Sequence, residues 1–273
     1  MQPLGDIIAV DYPAIDLTRP EEIRTLVRET RPGLIVNATA YTAVDKAEEQ
    51  VAEAEAVNSR GPGILAQEAK ALGAAIVHYS TDYIFDGTKD SPYSEQDTPC
   101  PISTYGRTKR EGEQAVQAAG APHLILRLTW VYGARGKNFM LTVLKLAAEK
   151  EEIRIVDDQI GSPTWCRMIA ETTAQILAQG AGDPAGFLSE KGGLYHLSAR
   201  GKTSWFGFAR AILDHHPNRK ALKVKHLIPI TTSEYPTAAA RPAYSLLSSE
   251  AAHKVFGLRL PDWEHSLQQV LCK

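Results

Sequence analysis

The chain has 273 residues, a net charge of -2, and is 44% hydrophobic and 23% charged, an ordinary soluble composition with room for one large α/β domain or a domain plus a smaller lobe. The near-neutral charge gives no long-range pull towards nucleic acid or an anionic membrane, no apolar run approaches the roughly 20 residues of a membrane span, and M-Q-P-L-G-D at the start is not a signal peptide. Cys100, Cys166 and Cys272 have neither metal-ligand nor C-x-x-C spacing and read as incidental thiols of a reducing cytoplasm.

Residues 7–10 are a short apolar run ending at Asp11, a strand with a carboxylate at its tip. In a nucleotide-binding fold such an acid hydrogen-bonds the adenosine ribose; with Tyr12 and Pro13 next and no arginine beside it, Asp11 leans towards NADH over NADPH. A turn acid that ends the strand is the other reading. Thr18, with Glu21 three residues on, makes a capping box for a helix from about Pro20. Residues 33–37 are the next buried strand. The small residues beyond it either let a flat cofactor approach the backbone or form a tight strand–helix turn. Residues 46–57 and 58–72 read as two helices. Between them Gly61-Pro62-Gly63-Ile64-Leu65-Ala66 satisfies G-x-G-x-x-A, but it follows a helix, and Pro62 stands where the motif needs an N–H. It reads as a helix break, not a phosphate loop.

The densest stretch is 77–109. An apolar run, 74–77, ends in Tyr79, Ser80 and Thr81, the form of a buried parallel strand (75–79 at its centre) whose carboxyl end carries chemistry. Tyr105 and Lys109 stand four apart in a helix-favouring segment, 104–119, so phenol and ammonium share a face. A nearby ammonium stabilises phenolate and draws the tyrosine pKa down from roughly 10, fitting Tyr105 to exchange a proton near neutrality. Thr81 would hydrogen-bond the same substrate oxygen. Y-x-x-x-K alone also arises on helix surfaces. More specific is the joint pattern, S-T-D-Y-x-F-D-G and then Y-G-x-T-K, with 24 residues from Thr81 to Tyr105.

Residues 123–128 are another buried strand, leading to Thr129-Trp130-Val131-Tyr132-Gly133. Residues 138–150 form an amphipathic helix, 157–164 a polar turn and 165–178 a helix. Beyond lie a strand at 193–198, a helix at 204–216, a strand at 227–230 and a terminal helix at 261–271. His215-His216 reads as a helix end favouring cations, not a metal site. Five parallel-type strands alternating with helices, without repeats, give an α/β fold: a doubly wound, Rossmann-like parallel sheet with a smaller C-terminal lobe.

These stretches resemble the extended short-chain dehydrogenase/reductase superfamily and, within it, the dTDP-4-dehydrorhamnose reductases, over nearly the whole chain. The motifs are N-A-x-A-Y-T-x-V-D from Asn37, S-T-D-Y-x-F-D-G from Ser80, Y-G-x-T-K from Tyr105, R-x-x-W-x-Y-G from Arg127, D-Q-x-G-x-P-T from Asp158 and Y-P-T…R-P-x-x-S from Tyr235. The resemblance implies NADPH- or NADH-dependent reduction of dTDP-4-dehydro-6-deoxy-L-mannose to dTDP-L-rhamnose by a cytoplasmic enzyme. Residues 1–150 would carry the dinucleotide and 151–273 mainly the sugar, interleaved with the first. Tyr105 would be the acid, Lys109 would lower its pKa and hold the nicotinamide ribose, and Thr81 would orient the carbonyl. Asp16, Leu17, Ala40, Tyr41 and Thr42, with Asp11, are the implied cofactor contacts. Asp82, Trp130 and Arg241 fall on the substrate side, with Trp130 a wall of the sugar pocket and Arg241 suited to a diphosphate oxygen. A core tryptophan and a structural ion pair are the plainer readings of those two. No metal, nucleic-acid or membrane partner is implied, and a homodimer is left open.

A fold of this kind begins with a strand and a glycine-rich turn onto a helix N-terminus, which holds the pyrophosphate. Residues 1–5 resemble the end of the family's first helix, so roughly two dozen residues, including a mid-sheet strand, have no counterpart. Unpaired backbone and an exposed apolar edge are then expected beside the 7–10 and 75–79 strands, with weak NAD(P)H binding and poor stability. Normal affinity on titration would refute that. A fragment or misplaced start codon is one account, a degenerate relative the other. Alternative functions are an epimerase or dehydratase that keeps its NAD bound, and a regulatory subunit resembling the methionine adenosyltransferase β-subunit. The retained Tyr105, Lys109 and Thr81 argue against the last.

Overall fold

The computed structural model describes residues 5–272. α1 (Pro20–Thr30) leads to β1 (Leu34–Asn37); α2 (Val44–Ala47) and α3 (Val51–Glu55) run through a π-helical turn (Ala56–Arg60) into α4 (Gly61–Leu72); β2 (Ala75–Thr81) is followed by α5 (Thr104–Ala119) and β3 (His123–Leu128). Then come β4 (Val131–Tyr132), α6 (Phe139–Glu149), β5 (Glu152–Val156), β6 (Ile160–Gly161), β7 (Thr164–Trp165), α7 (Cys166–Ala178) and α8 (Pro184–Lys191). The chain closes with β8 (Gly193–His196), β9 (Thr203–Ser204), α9 (Trp205–Asp214), β10 (His226–Ile230), α10 (Glu250–Phe256) and α11 (Trp263–Leu271).

β1, β2, β3 and β8 form a parallel sheet in that order, with Leu34 opposite Ala75, Ile76 opposite His123 and Leu124 opposite Gly193. The strands are apolar without alternation because both faces are covered. Ile76 and Ile125 pack on Ile23, Val27 and Leu65 from α1 and α4. Ala75, Val77, Leu124 and Leu126 pack on Ile169, Ile176, Leu188 and Phe256 from α7, α8 and α10. Helices on both faces make the sheet doubly wound. A second core, with Met140, Val143, Ile153, Phe208 and Leu267, joins α6, α9 and α11 to the parallel pair β5–β10.

The 7–10 run forms no strand, a correction to the sequence reading. A strand persists only where a neighbour takes its backbone bonds, and this run is separated from the free edge of β1 by an open groove of about 760 Å³. Ile7, Ile8 and Val10 are exposed, Ile8 by 63%. Residues 1–4, read as part of a helix end, lie outside the described residues. Thr18 does not cap α1: its hydroxyl donates to Asp16 Oδ1 at 2.7 Å, and the helix begins after Arg19 with Pro20, whose fixed φ suits a first turn. The expected break before Pro62 is the π-turn instead. Its wider hydrogen bonding absorbs the missing proline N–H without ending the helix.

α5 runs over the predicted residues. Ser103 Oγ accepts the Gly106 N–H at 3.2 Å, and Gly120, at φ +69°, closes the other end. Two glycines let it approach its neighbours: a Cβ at Gly106 would stand 2.1 Å from the Tyr83 carbonyl oxygen, and one at Gly112 2.0 Å from that of Asn58.

Candidate active site

The carboxyl end of β2 meets the first turns of α5. Thr81, the last residue of the strand, accepts the Tyr83 N–H at 3.2 Å and donates to Asp82 Oδ1 at 3.1 Å. The Tyr105 phenol lies beside the same threonine hydroxyl, near enough to feel it, and its ring meets that of Tyr83 edge-on, centroids 5.5 Å apart. Asp82 is buried and accepts from Thr129 Oγ1 at 2.8 Å. The structure thus brings Thr81, Asp82 and Tyr105 together as expected. Lys109 follows one turn along α5, 2% exposed, its Nζ donating to the Tyr79 carbonyl at 2.6 Å.

The expected acidification of Tyr105 does not occur. Burial pushes its pKa up to about 12; the Thr81 hydrogen bond opposes the rise and the Asp82 charge adds to it. The reason is that the ammonium is turned to a backbone carbonyl, so the desolvation of the half-buried phenol wins. Burial likewise brings Lys109 down to about 8, with Glu113 opposing, and raises Asp82 to about 6 against its hydroxyl donors, Ser245, Thr129 and Thr81.

Because Asp82 titrates in the fold above its ordinary 3.8, its contribution favours folding most below that value and is lost as pH rises through about 6. The stability of the wild type relative to Asp82→Asn should therefore fall by about 2 kcal/mol from pH ~4 to pH ~8. Denaturant unfolding of both proteins at the two pH values measures it; a constant difference would mean the carboxyl is not desolvated.

A cleft of about 670 Å³ is lined by Asp11, Asp16, Leu17, Thr18, Thr39 and Arg60, among others. Thr18 donates to Asp16 from both its hydroxyl, at 2.7 Å, and its N–H, at 2.8 Å, which holds that carboxyl below its usual range. Asp11 accepts the Tyr12 N–H at 2.8 Å, the turn-acid arrangement, and still faces the cleft. From the loop after β1, Thr39 lines it. Tyr41 is held through its backbone by Asn58, N–H to Oδ1 at 2.8 Å and Nδ2 to carbonyl at 3.1 Å, with its phenol turned to Gln50; Ala40 and Thr42 flank it.

Trp130 is not open to the site. It stacks on Trp205 at 3.5 Å, nearly parallel, with its φ at +43° and Gly161 pressed against the indole. Arg241 makes the ion pair: Nη2 to Asp45 Oδ2 at 2.8 Å and Nη1 to the Ala239 carbonyl at 2.9 Å. The plainer alternative describes both residues in this structure.

Sequence reasoning missed a buried polar row beneath α5. Asn37 Nδ2 donates to His78 Nδ1 at 3.1 Å, and burial, reinforced by the Lys109 charge, keeps His78 neutral. Arg127 forks onto Glu113, Nε to Oε1 and Nη2 to Oε2 at 2.8 Å each, and reaches His196 Nε2 at 3.3 Å. The signal available was the spacing: Glu113 stands four residues after Lys109, as Lys109 does after Tyr105.

The donor set fits the ends of a nicotinamide dinucleotide. An ammonium has three N–H donors; among the described residues Lys109 gives one to Tyr79, leaving two for a diol such as ribose. The acid-lined cleft beyond β1 suits the other ribose and its base. Among the described residues no helix is long and apolar enough to cross a membrane, and no group of three or more His, Cys, Asp or Glu could hold a metal ion.

The family model described as RmlD substrate binding domain matches residues 1–273. The chain is 48% identical to the dTDP-4-dehydrorhamnose reductase of Burkholderia thailandensis, over 97% of its own length and 89% of the relative's. It is 40% identical to that of Escherichia coli K12, over 99% and 91%. Among solved structures, the dTDP-4-dehydrorhamnose reductase from Bacillus anthracis in complex with NADP is similar at a TM-score of 0.87 and 35% identity, covering 98% of this chain and 90% of that one.

Proposed function

The chain belongs to the RmlD family of dTDP-4-dehydrorhamnose reductases, and from that premise we propose that it reduces the C4 ketone of dTDP-4-dehydro-6-deoxy-L-mannose to give dTDP-L-rhamnose, with NADPH or NADH. The observation that carries this reading is the meeting of Tyr105 and Thr81 at the strand end, with Lys109 buried one turn away.

When bound, the reduced nicotinamide supplies the hydride. Lys109 holds the nicotinamide ribose with its spare donors, while the Tyr79 carbonyl fixes where the ammonium sits. Thr81, held by the Tyr83 N–H, would turn its single hydroxyl proton from Asp82 to the ketone oxygen. Tyr105 gives its proton to that oxygen as negative charge builds on it. A phenol at about 12 is fully protonated at neutral pH and still more acidic than the secondary alcohol it creates, so the transfer runs downhill. Asp11, Asp16 and Leu17 are the adenosine contacts of this reading, with Ala40, Tyr41 and Thr42 behind them. In this reading Asp82 and Arg241 serve the substrate. Arg241, anchored on Asp45, keeps donors for a diphosphate oxygen.

Residues 1–150 carry the cofactor and 151–273 mainly the sugar. The halves interleave: β8, α7 and α8 pack onto the sheet, while α6 joins the second core. The same reading puts the enzyme in the cytoplasm, with a dTDP-sugar as its partner.

Incubating the purified protein with dTDP-4-dehydrorhamnose and NADPH or NADH should consume dihydronicotinamide in step with dTDP-L-rhamnose formed. Nucleotide retained through purification, with sugar interconversion and no net consumption, would replace this reading with an epimerase or dehydratase.

A further inference from the structure

Tyr105, Lys109 and Glu113 fall at successive four-residue steps and so form one stripe on α5 facing the sheet. The stripe goes inward: Lys109 is 2% exposed and Glu113 fully buried. An ammonium in such a place loses its hydration, and the neutral amine becomes the easier form unless an anion stands close by. The groups around it decide the matter. On β2, His78 is neutral and hydrogen-bonded to Asn37, and the Tyr79 carbonyl accepts directly from Lys109. On β3, Arg127 is a second buried cation, and on β8, His196 is neutral, held near 3 by burial and by Arg127. On α5 itself, Arg110 is a further cation, 2.7 Å from Glu113. Glu48 and Glu55, on the segments packed outside α5, are turned to Thr104 and Arg107.

We propose that Glu113 is a positioning residue for the reaction, whose charge keeps Lys109 an ammonium inside a site closed to water. Arg127 does the preceding step: its fork, with Arg110, holds Glu113 below its ordinary carboxyl range despite burial. Lys109 sits at about 8, with Glu113 the one raising influence. Loss of that influence lowers the amine's titration further, and its hold on a ribose diol weakens as the ammonium is lost. This rests on the reductase reading for its catalytic meaning, but the charge relation itself belongs to the cofactor-free protein.

Glu113→Gln alone leaves Arg127 buried without a counter-charge and can fail to fold. The informative variant is Glu113→Gln with Arg127→Met, which removes both charges and keeps side-chain volume. In the cofactor-free protein, the Lys109 side-chain titration is followed by nitrogen NMR, its signal assigned by absence in Lys109→Met. The midpoint should move down by about one pH unit or more in the double variant, and stay within about 0.3 of wild type in Glu113→Asp, which retains the charge. In the reductase assay, the basic limb of kcat/KM should move down by the same amount. An unmoved Lys109 midpoint in the folded double variant overturns the proposal, as does an equal shift in Glu113→Asp, which would make the effect one of packing. A shifted midpoint without any reductase turnover sustains the charge relation and overturns only the assigned reaction.

Discussion

Replacing Tyr105 with phenylalanine is expected to lower kcat at least about 10²-fold, with little change in KM for either substrate. The ring is what packs: it lies edge-on to Tyr83, and phenylalanine fills the same space. The hydroxyl is what reacts. Its removal strands no partner, because Thr81 keeps the Tyr83 N–H and Asp82. The variant should therefore fold normally by circular dichroism and unfold close to wild type, since the ring keeps its packing. The loss should be seen across the neutral range, because a phenol at about 12 does not titrate there. Turnover within a few-fold of wild type would end its assignment as the acid.

Arg127→Met is expected to destabilise the fold by about 3–5 kcal/mol, the usual consequence of leaving one member of a desolvated ion pair behind. Arg127 is among the largest fully buried side chains, set over the Phe85 ring at 5.4 Å and forked onto a carboxylate with no solvent exposure. Without it the counter-charge left to Glu113 is Arg110, itself partly in water. Removing both charges should recover much of the loss, because neither ion then has to shed its hydration. Urea unfolding of wild type, Arg127→Met and the double variant reads the three values. A single variant losing less than about 1 kcal/mol would put the pair in the class of exposed salt bridges.

Local signals carried well from sequence to structure. α5 is legible because Ser103 and Gly120 bracket a run of good helix formers, and Thr81 and Tyr105 are legible because strand end and helix start are each local patterns. Meetings between distant elements were not. Nothing near Trp130 says that Trp205 will cover it, and nothing near Arg241 names Asp45. The error over Tyr105 acidity has the same root: spacing along a helix gives the neighbour but not the burial, and burial decided the sign. The 7–10 run misled for a related reason, since apolar character makes a strand only where a sheet edge is within reach.

β8 supplies the last strand of the sheet only after the whole of α6, β5 and α7 has been made. During synthesis the ribosome therefore releases Tyr105, Lys109 and Glu113 long before Gly193–His196 can close over β3. For that interval the nascent chain carries an unfinished sheet, its β3 border open to other chains. Conditions that slow translation through the middle of the message should be where a holding chaperone matters most to the yield of this protein.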